Sequence, residues 1–168
     1  MARRRQAGGK ATRPRMPSEY GILSPRKGKG LLPWSWGAHR LAESRGHWIA
    51  TTRPDGSPHV MIVWGVWLND AFYFGTSRNS RKARNLAVNP QCVVCTERAD
   101  EAVILEGVAQ AVSDAVAIKR FAQAYRKKYE EEIDTAQFPV YAVRPRTAFG
   151  FVSTAEAWAG TATRWRFE

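Results

Sequence analysis

The spacing of apolar and polar positions changes several times along the chain, and each change predicts an element. Residues 1–30 show almost no apolar periodicity. From Leu31 the pattern becomes that of a folded domain, and residues 33–42 read as a short amphipathic helix. Residues 47–53 are apolar and β-branched, Pro54-Asp55-Gly56-Ser57 has the composition of a turn, and residues 58–68 continue as a second, long strand, so the pair predicts a hairpin. Asn69-Asp70 marks the next turn and residues 71–76 a third strand. A loop at 77–80 leads to a short helix over 81–88 that ends at Asn89-Pro90, followed by strands over 91–97 and 102–112. Asp114 can cap a further helix, in which Ile118, Phe121, Ala122, Tyr125 and Tyr129 recur at the spacing of one buried face. After an acidic patch at 130–134, residues 139–144 and 147–153 read as a last pair of strands, with Pro145 confining their junction to a bend or an edge.

Six to seven strands joined mostly by tight turns predict a mainly β fold, an antiparallel barrel with a few short helices. Parallel strands need a crossover of about a dozen residues or more at each step, and such crossovers are missing. No internal repeat of solenoid length is present. The domain reading is a basic, flexible tail over 1–30 and one folded domain over 31–168.

Charge changes this picture only at the N-terminus. The 168 residues carry 26 Lys and Arg against 15 Asp and Glu, a net charge of +11, which suggests a nucleic-acid binder. Residues 1–30, however, hold nine basic side chains against Glu19 alone, +8, and the other 138 residues hold 17 against 14, only +3. The tail reads either as a solvated extension, with Met16 able to start the chain, or as a polyanion-binding arm acting through counterion release. The first reading is preferred, and nucleic-acid binding is a minor alternative. The longest apolar run, residues 60–68, has nine residues where a spanning helix needs roughly 20. The Arg-rich start lacks the apolar stretch of an export signal, so the expectation is a cytoplasmic protein.

The most informative chemistry lies in Thr76-Ser77-Arg78-Asn79-Ser80-Arg81-Lys82-Ala83-Arg84-Asn85. Cations in the first turn of a helix oppose its dipole, and an anion would relieve this. Free backbone N–H groups, the hydroxyls of Thr76, Ser77 and Ser80, and two or three cations at one strand-to-helix junction make a phosphate site. A basic surface helix capped by Ser80 is the plainer alternative. Upstream, Gly65 interrupts the strong β-formers of Val63-Trp64-Gly65-Val66-Trp67, which marks either close approach of a flat ligand to main chain or relief of barrel curvature.

These residues together resemble the flavin-binding split β-barrel of the pyridoxamine 5'-phosphate oxidase-like superfamily, from about Trp34 to Phe167. The resemblance is carried by residues 49–60 (IATTRPDGSPHV), by Ser80-Arg81-Lys82 leading to Asn85-Leu86 and Asn89-Pro90, and by Leu105-Glu106-Gly107-Val108-Ala109. It implies a split barrel that binds FMN or the deazaflavin coenzyme F-420. Arg81 and Lys82 would then hold the cofactor phosphate with Thr76, and the backbone of Ile62, Val63, Trp64 and Gly65 would face the isoalloxazine. It also implies a homodimer with cofactor sites at the interface, the chain end with Trp165 and Arg166 approaching the partner's site. The chain departs from true pyridoxamine phosphate oxidases: Val60 and Gly65 stand where those have basic residues, and the Arg-x-His near their C-terminus has only Arg164-Trp165-Arg166 as counterpart. The Lys-x-Arg-Asn run at 82–85 is instead similar to small reductases using FMN or F-420.

The activity so implied is hydride transfer to or from a small unsaturated or aromatic substrate, with Trp64, Trp67 and Trp165 as candidate walls. The ring carries that chemistry, so no catalytic side chain is assigned. A non-catalytic cofactor carrier or sensor is the alternative from another class. Cys92 and Cys95, three apart on a strand, point to opposite faces and lack the further ligands of a metal site, and His39, His47 and His59 show no metal-binding spacing. Gly28-Lys29-Gly30 lacks the context of a phosphate-binding glycine loop.

Overall fold

Turn chemistry and alternation order most of the chain. The computed structural model describes residues 9–27 and 29–168. Its elements are β1 (Lys10–Thr12), a short 3-10 turn at Ser18–Tyr20, α1 (Trp34–Glu43), β2 (His47–Thr52), β3 (Pro58–Val63), β4 (Gly65–Leu68), β5 (Ala71–Gly75), α2 (Arg81–Val88), β6 (Gln91–Thr96), β7 (Glu101–Ala111), α3 (Ala115–Tyr129), β8 (Val140–Val152), α4 (Trp158–Thr161) and β9 (Thr163–Arg166). Every strand pairing is antiparallel, in the order β1-β9-β8-β7-β6-β2-β3, with β5 on β8 and β4 on β5. The expected mainly β split barrel is thus present, with nine strands among the described residues where six to seven were expected.

Three differences have physical causes. The long strand expected over 58–68 is two, because the chain changes partners at Trp64: β3 pairs with β2 and β4 with β5. The sheet is not closed, and this break is its split. Secondly, residues 139–144 and 147–153 are not two strands but one, β8, which pairs with β7 along its length. Pro145 cannot donate to the ladder, and a bulge opposite Glu106 and Gly107 absorbs it. On its other edge β8 carries β5 before the bend and β9 after it.

Thirdly, the N-terminal stretch is not wholly a tail. The Arg-rich start, residues 1–8, and Gly28 lie outside the described residues, but Lys10–Thr12 adds a strand to β9. Arg13 is buried and donates to the carbonyls of Lys27 at 3.0 Å, Lys29 at 2.6 Å, Gly160 at 3.0 Å and Ala162 at 3.2 Å. Five N–H donors on one side chain satisfy carbonyls that an apolar-periodicity reading does not register.

The main core fills the barrel and includes Leu41, Ile49, Phe72, Phe74, Val94, Leu105 and Trp165. A second cluster lies under α3, where Phe121, Tyr125 and Tyr129 pack on Val66, Tyr73 and Val140. Asp114 Oδ1 accepts the N–H of Val116 at 3.1 Å at the start of α3, and Glu130 ends it in the left-handed conformation, φ 61°. Outward-facing positions tell a different story. Ile62, Trp48, Cys95, Ile104 and Phe149 are cross-strand neighbours in one row over five strands, with Ile62 49% and Trp48 46% exposed and the other three half-buried.

Candidate functional site

The junction of β5 and α2 is built by short polar side chains. Ser80 caps α2, its Oγ accepting the Ala83 N–H at 3.2 Å, and Thr76 Oγ1 lies 3.1 Å from the same oxygen. The Ser80 N–H donates to the Ser77 carbonyl at 3.0 Å, folding the loop back on itself. Thr76 is buried and Lys82 half-buried; Arg81 is exposed beside it. Burial lowers the proton affinity of Lys82 from its ordinary value, the mark of a charge without compensation. The ion pairs among the described residues are Arg40–Glu101, Arg98–Asp100 and Arg126–Glu132, so neither Arg81 nor Lys82 has a carboxylate within 4.0 Å.

This junction opens onto a cavity of about 470 Å³. Ile62, Val63 and Trp64 form one wall, Thr76, Ser77, Ser80 and Lys82 line the polar end, and Tyr125, Ile133 and Phe138 lie opposite with Glu132 and Asp134. Seven of the sequence-predicted residues therefore share one cavity. A groove of about 1200 Å³ at the other end of α3 is larger, but its Asn69, Asp70, Ser113, Asp114 and Arg120 are all exposed.

Gly65 lies behind the apolar wall. Its N–H donates to the Tyr129 hydroxyl at 2.9 Å, Lys128 Nζ donates to its carbonyl at 3.0 Å, and an added Cβ would collide with the Phe72 ring and lie 2.7 Å from the Tyr73 carbonyl. The close packing of Phe72 and Tyr73 accounts for this glycine at the point where the strand changes partners. Trp64, 46% exposed, stacks on Tyr129 with ring centres 4.8 Å apart and planes 10° off parallel. Burial pushes the Tyr129 hydroxyl up to about 12 and brings Lys128 down to about 8.

The remaining predicted residues lie elsewhere. Asn85 is buried and donates Nδ2 to Thr51 Oγ1 at 2.9 Å, tying α2 to β2. Trp165 is not a cofactor or substrate wall: it is fully buried in its own chain's core, donates Nε1 to the Leu32 carbonyl at 3.0 Å and packs on Trp34. Its neighbour on β9, Arg166, is exposed and lines a separate cleft with Lys10, Asp70 and Arg144. Trp67 is half-buried against the core. Sequence reasoning missed the α3 side of the cavity, because Tyr125 and Tyr129 fall on the helical face that reads as core. Cys92 and Cys95 are held protonated by burial, Cys92 at about 12. No group of His, Cys, Asp or Glu among the described residues is arranged to hold a metal ion, and no described helix is long and apolar enough to cross a membrane.

Solved structures share this architecture. General Stress Protein 26 from Bacillus anthracis str. Sterne is 19% identical, with a TM-score of 0.59 over 69% of this chain and 91% of that one. A heme binding protein from Mycobacterium smegmatis is 21% identical, TM-score 0.61, over 79% and 57%. An F420 reductase is 25% identical, TM-score 0.51, over 64% and 90%. No curated protein matches by sequence. A family profile described as pyridoxamine 5'-phosphate oxidase matches residues 38–159, most of the folded domain and all the elements that build the cavity from α2 to α3, and the chain belongs to that family.

Proposed function

We propose that the chain is an oxidoreductase that binds FMN, or the deazaflavin coenzyme F-420, in the cavity between the β3–β4 break, α2 and α3. One observation carries the reading: half-buried Lys82, with no carboxylate partner, stands at a capped helix start whose cavity has an apolar and aromatic remainder. Such a site suits a planar ring bearing a phosphate. When bound, the cofactor supplies a ring that takes up or gives hydride.

The chain's own residues bind, orient and exclude water. Arg81 and Lys82 give charge to the phosphate end, and Thr76, Ser77 and Ser80 give hydroxyls. Ile62, Val63 and Trp64 form a wall with Gly65 packed behind it, and the Trp64 and Tyr125 side chains keep water from it. Asp134 accepts the N–H groups of Ala136 and Gln137 at 2.9 and 3.3 Å, and Glu132 pairs with Arg126 at 3.2 Å, so both acids at the cavity are engaged. A second reading is a cofactor carrier without turnover, since a heme binding protein shares the fold.

The assembly proposed with this site is a homodimer, whose second copy covers the row from Ile62 to Phe149. Ile62 belongs both to that row and to the cavity, which supports a site at the proposed interface. The visible spectrum and mass of the cofactor that copurifies from the native host test the reading. A flavin or deazaflavin is expected, and reoxidation of its reduced form by quinones, enones or oxygen would separate enzyme from carrier.

A further inference from the structure

The phosphate end of the cavity has a neighbour on the β2–β3 hairpin. His59 on β3 stands directly opposite Thr51 on β2. Its Nδ1 lies 3.4 Å from Thr51 Oγ1, the hydroxyl that accepts Asn85 Nδ2 from α2 at 2.9 Å. Thr51 and Asn85 are buried, and Asn85 Oδ1 has no partner among the described residues. His59 itself is half-exposed. With its oxygen already accepting from Asn85, Thr51 can give its one proton to Nδ1, which leaves the ring proton on Nε2, free to donate. If the ring gains a second proton, Thr51 can turn its own to the His59 carbonyl, 3.5 Å away.

The charged groups facing this imidazole are all cations: Arg53 from the hairpin turn, and Lys82 and Arg81 from α2, the last two those of the phosphate site. With partial burial they hold its proton affinity below the ordinary value. Arg53 donates to Ser57 Oγ at 3.1 Å and the Pro58 carbonyl at 2.7 Å, and none of the three cations has a carboxylate within 4.0 Å.

We propose that His59 is a further ligand of the anion at this site, and that a phosphomonoester dianion held by Arg81 and Lys82 draws a proton onto its ring. This rests on the phosphate reading above. Without the anion, partial burial first and then the three positive neighbours favour the neutral ring; a dianion reverses the local sign, so binding takes up a proton. The proton comes from solvent and no bond is broken.

The test is the affinity of the full chain for FMN, by fluorescence quenching from pH 6 to 8.5 at fixed ionic strength, in wild type and His59→Gln, with riboflavin as the probe lacking phosphate. The second ionisation of FMN, near pH ~6, is common to both proteins and cancels in their ratio. The wild-type advantage over His59→Gln should fall about fivefold to tenfold as pH rises through this range, the size expected when one proton is linked to binding. A ratio that stays flat while FMN still binds more tightly than riboflavin overturns the role of His59 and leaves the phosphate reading standing. Riboflavin bound as tightly as FMN overturns both, and no FMN binding overturns the role of His59, with binding of coenzyme F-420 then deciding the phosphate reading. If His59→Gln does not fold, calorimetry of FMN binding to wild type in buffers of differing ionisation enthalpy reads proton uptake directly; about half a proton or more at pH 7 is expected, and none overturns the proposal.

Discussion

Tyr129 fastens the last turn of α3 to Gly65 at the split of the barrel. The Gly65 N–H donates to its hydroxyl at 2.9 Å, and that hydroxyl lies 2.8 Å from the carbonyls of both Gly65 and Arg45, so it can donate to either. Gly65 opens β4 just past Trp64, where the chain leaves β2 for β5, and its buried N–H is satisfied by this hydroxyl.

Tyr129→Phe keeps the ring against Trp64 and removes that hydroxyl. Leaving a buried N–H unpaired costs about 1–3 kcal/mol. Urea unfolding should show the loss as a lower midpoint at unchanged slope. An unchanged midpoint would mean that the break is held by packing alone.

Acid should destabilise the protein through His47. It is fully buried against Phe72, with Nε2 3.0 Å from the Leu41 carbonyl and Nδ1 unpartnered, so the neutral ring carries its proton on Nε2. Burial first, and then the Lys128 charge, lower its pKa from 6.5 to about 4. The unfolded chain binds the proton more readily, so this stability is complete above pH 6.5 and is lost as pH falls towards about 4. The shift corresponds to on the order of 3 kcal/mol. Unfolding free energies at pH 7 and pH 4.5 should differ measurably in wild type and much less in His47→Leu; parallel profiles would remove His47 as the cause.

The apolar row across the outer sheet face predicts a self-association surface. Trp48→Glu combined with Ile104→Glu places two charges on that face without touching the barrel core. Light scattering after size exclusion should find a dimer in wild type and a monomer in the variant. A dimer of unchanged stability in the variant would place the interface elsewhere.

Most of the sheet was legible because alternation and turn chemistry are local. Asn69 and Asp70, at φ 49° and 60°, form the tight hairpin turn their composition suggests, and Ser80 and Asp114 cap the helices they precede. What escaped depended on distant partners. The break at Trp64 follows from β5 and Tyr129, and burial of Trp165 follows from Leu32 and Trp34, more than a hundred residues away in sequence. The polar half of the cavity could be read from one continuous segment, 76–82. Of its aromatic half Trp64 could be read but Tyr125 could not, since a tyrosine on the inner face of a helix has the same sequence pattern whether it meets core or cavity.

The central claim is that Arg81 and Lys82 hold a phosphorylated flavin-type cofactor. Titration of FMN and of coenzyme F-420 with wild type and with the Arg81→Ala/Lys82→Ala double variant tests it most directly. Wild type should quench the fluorescence of at least one of them saturably and the double variant should not. Equal binding by the two proteins would contradict the account.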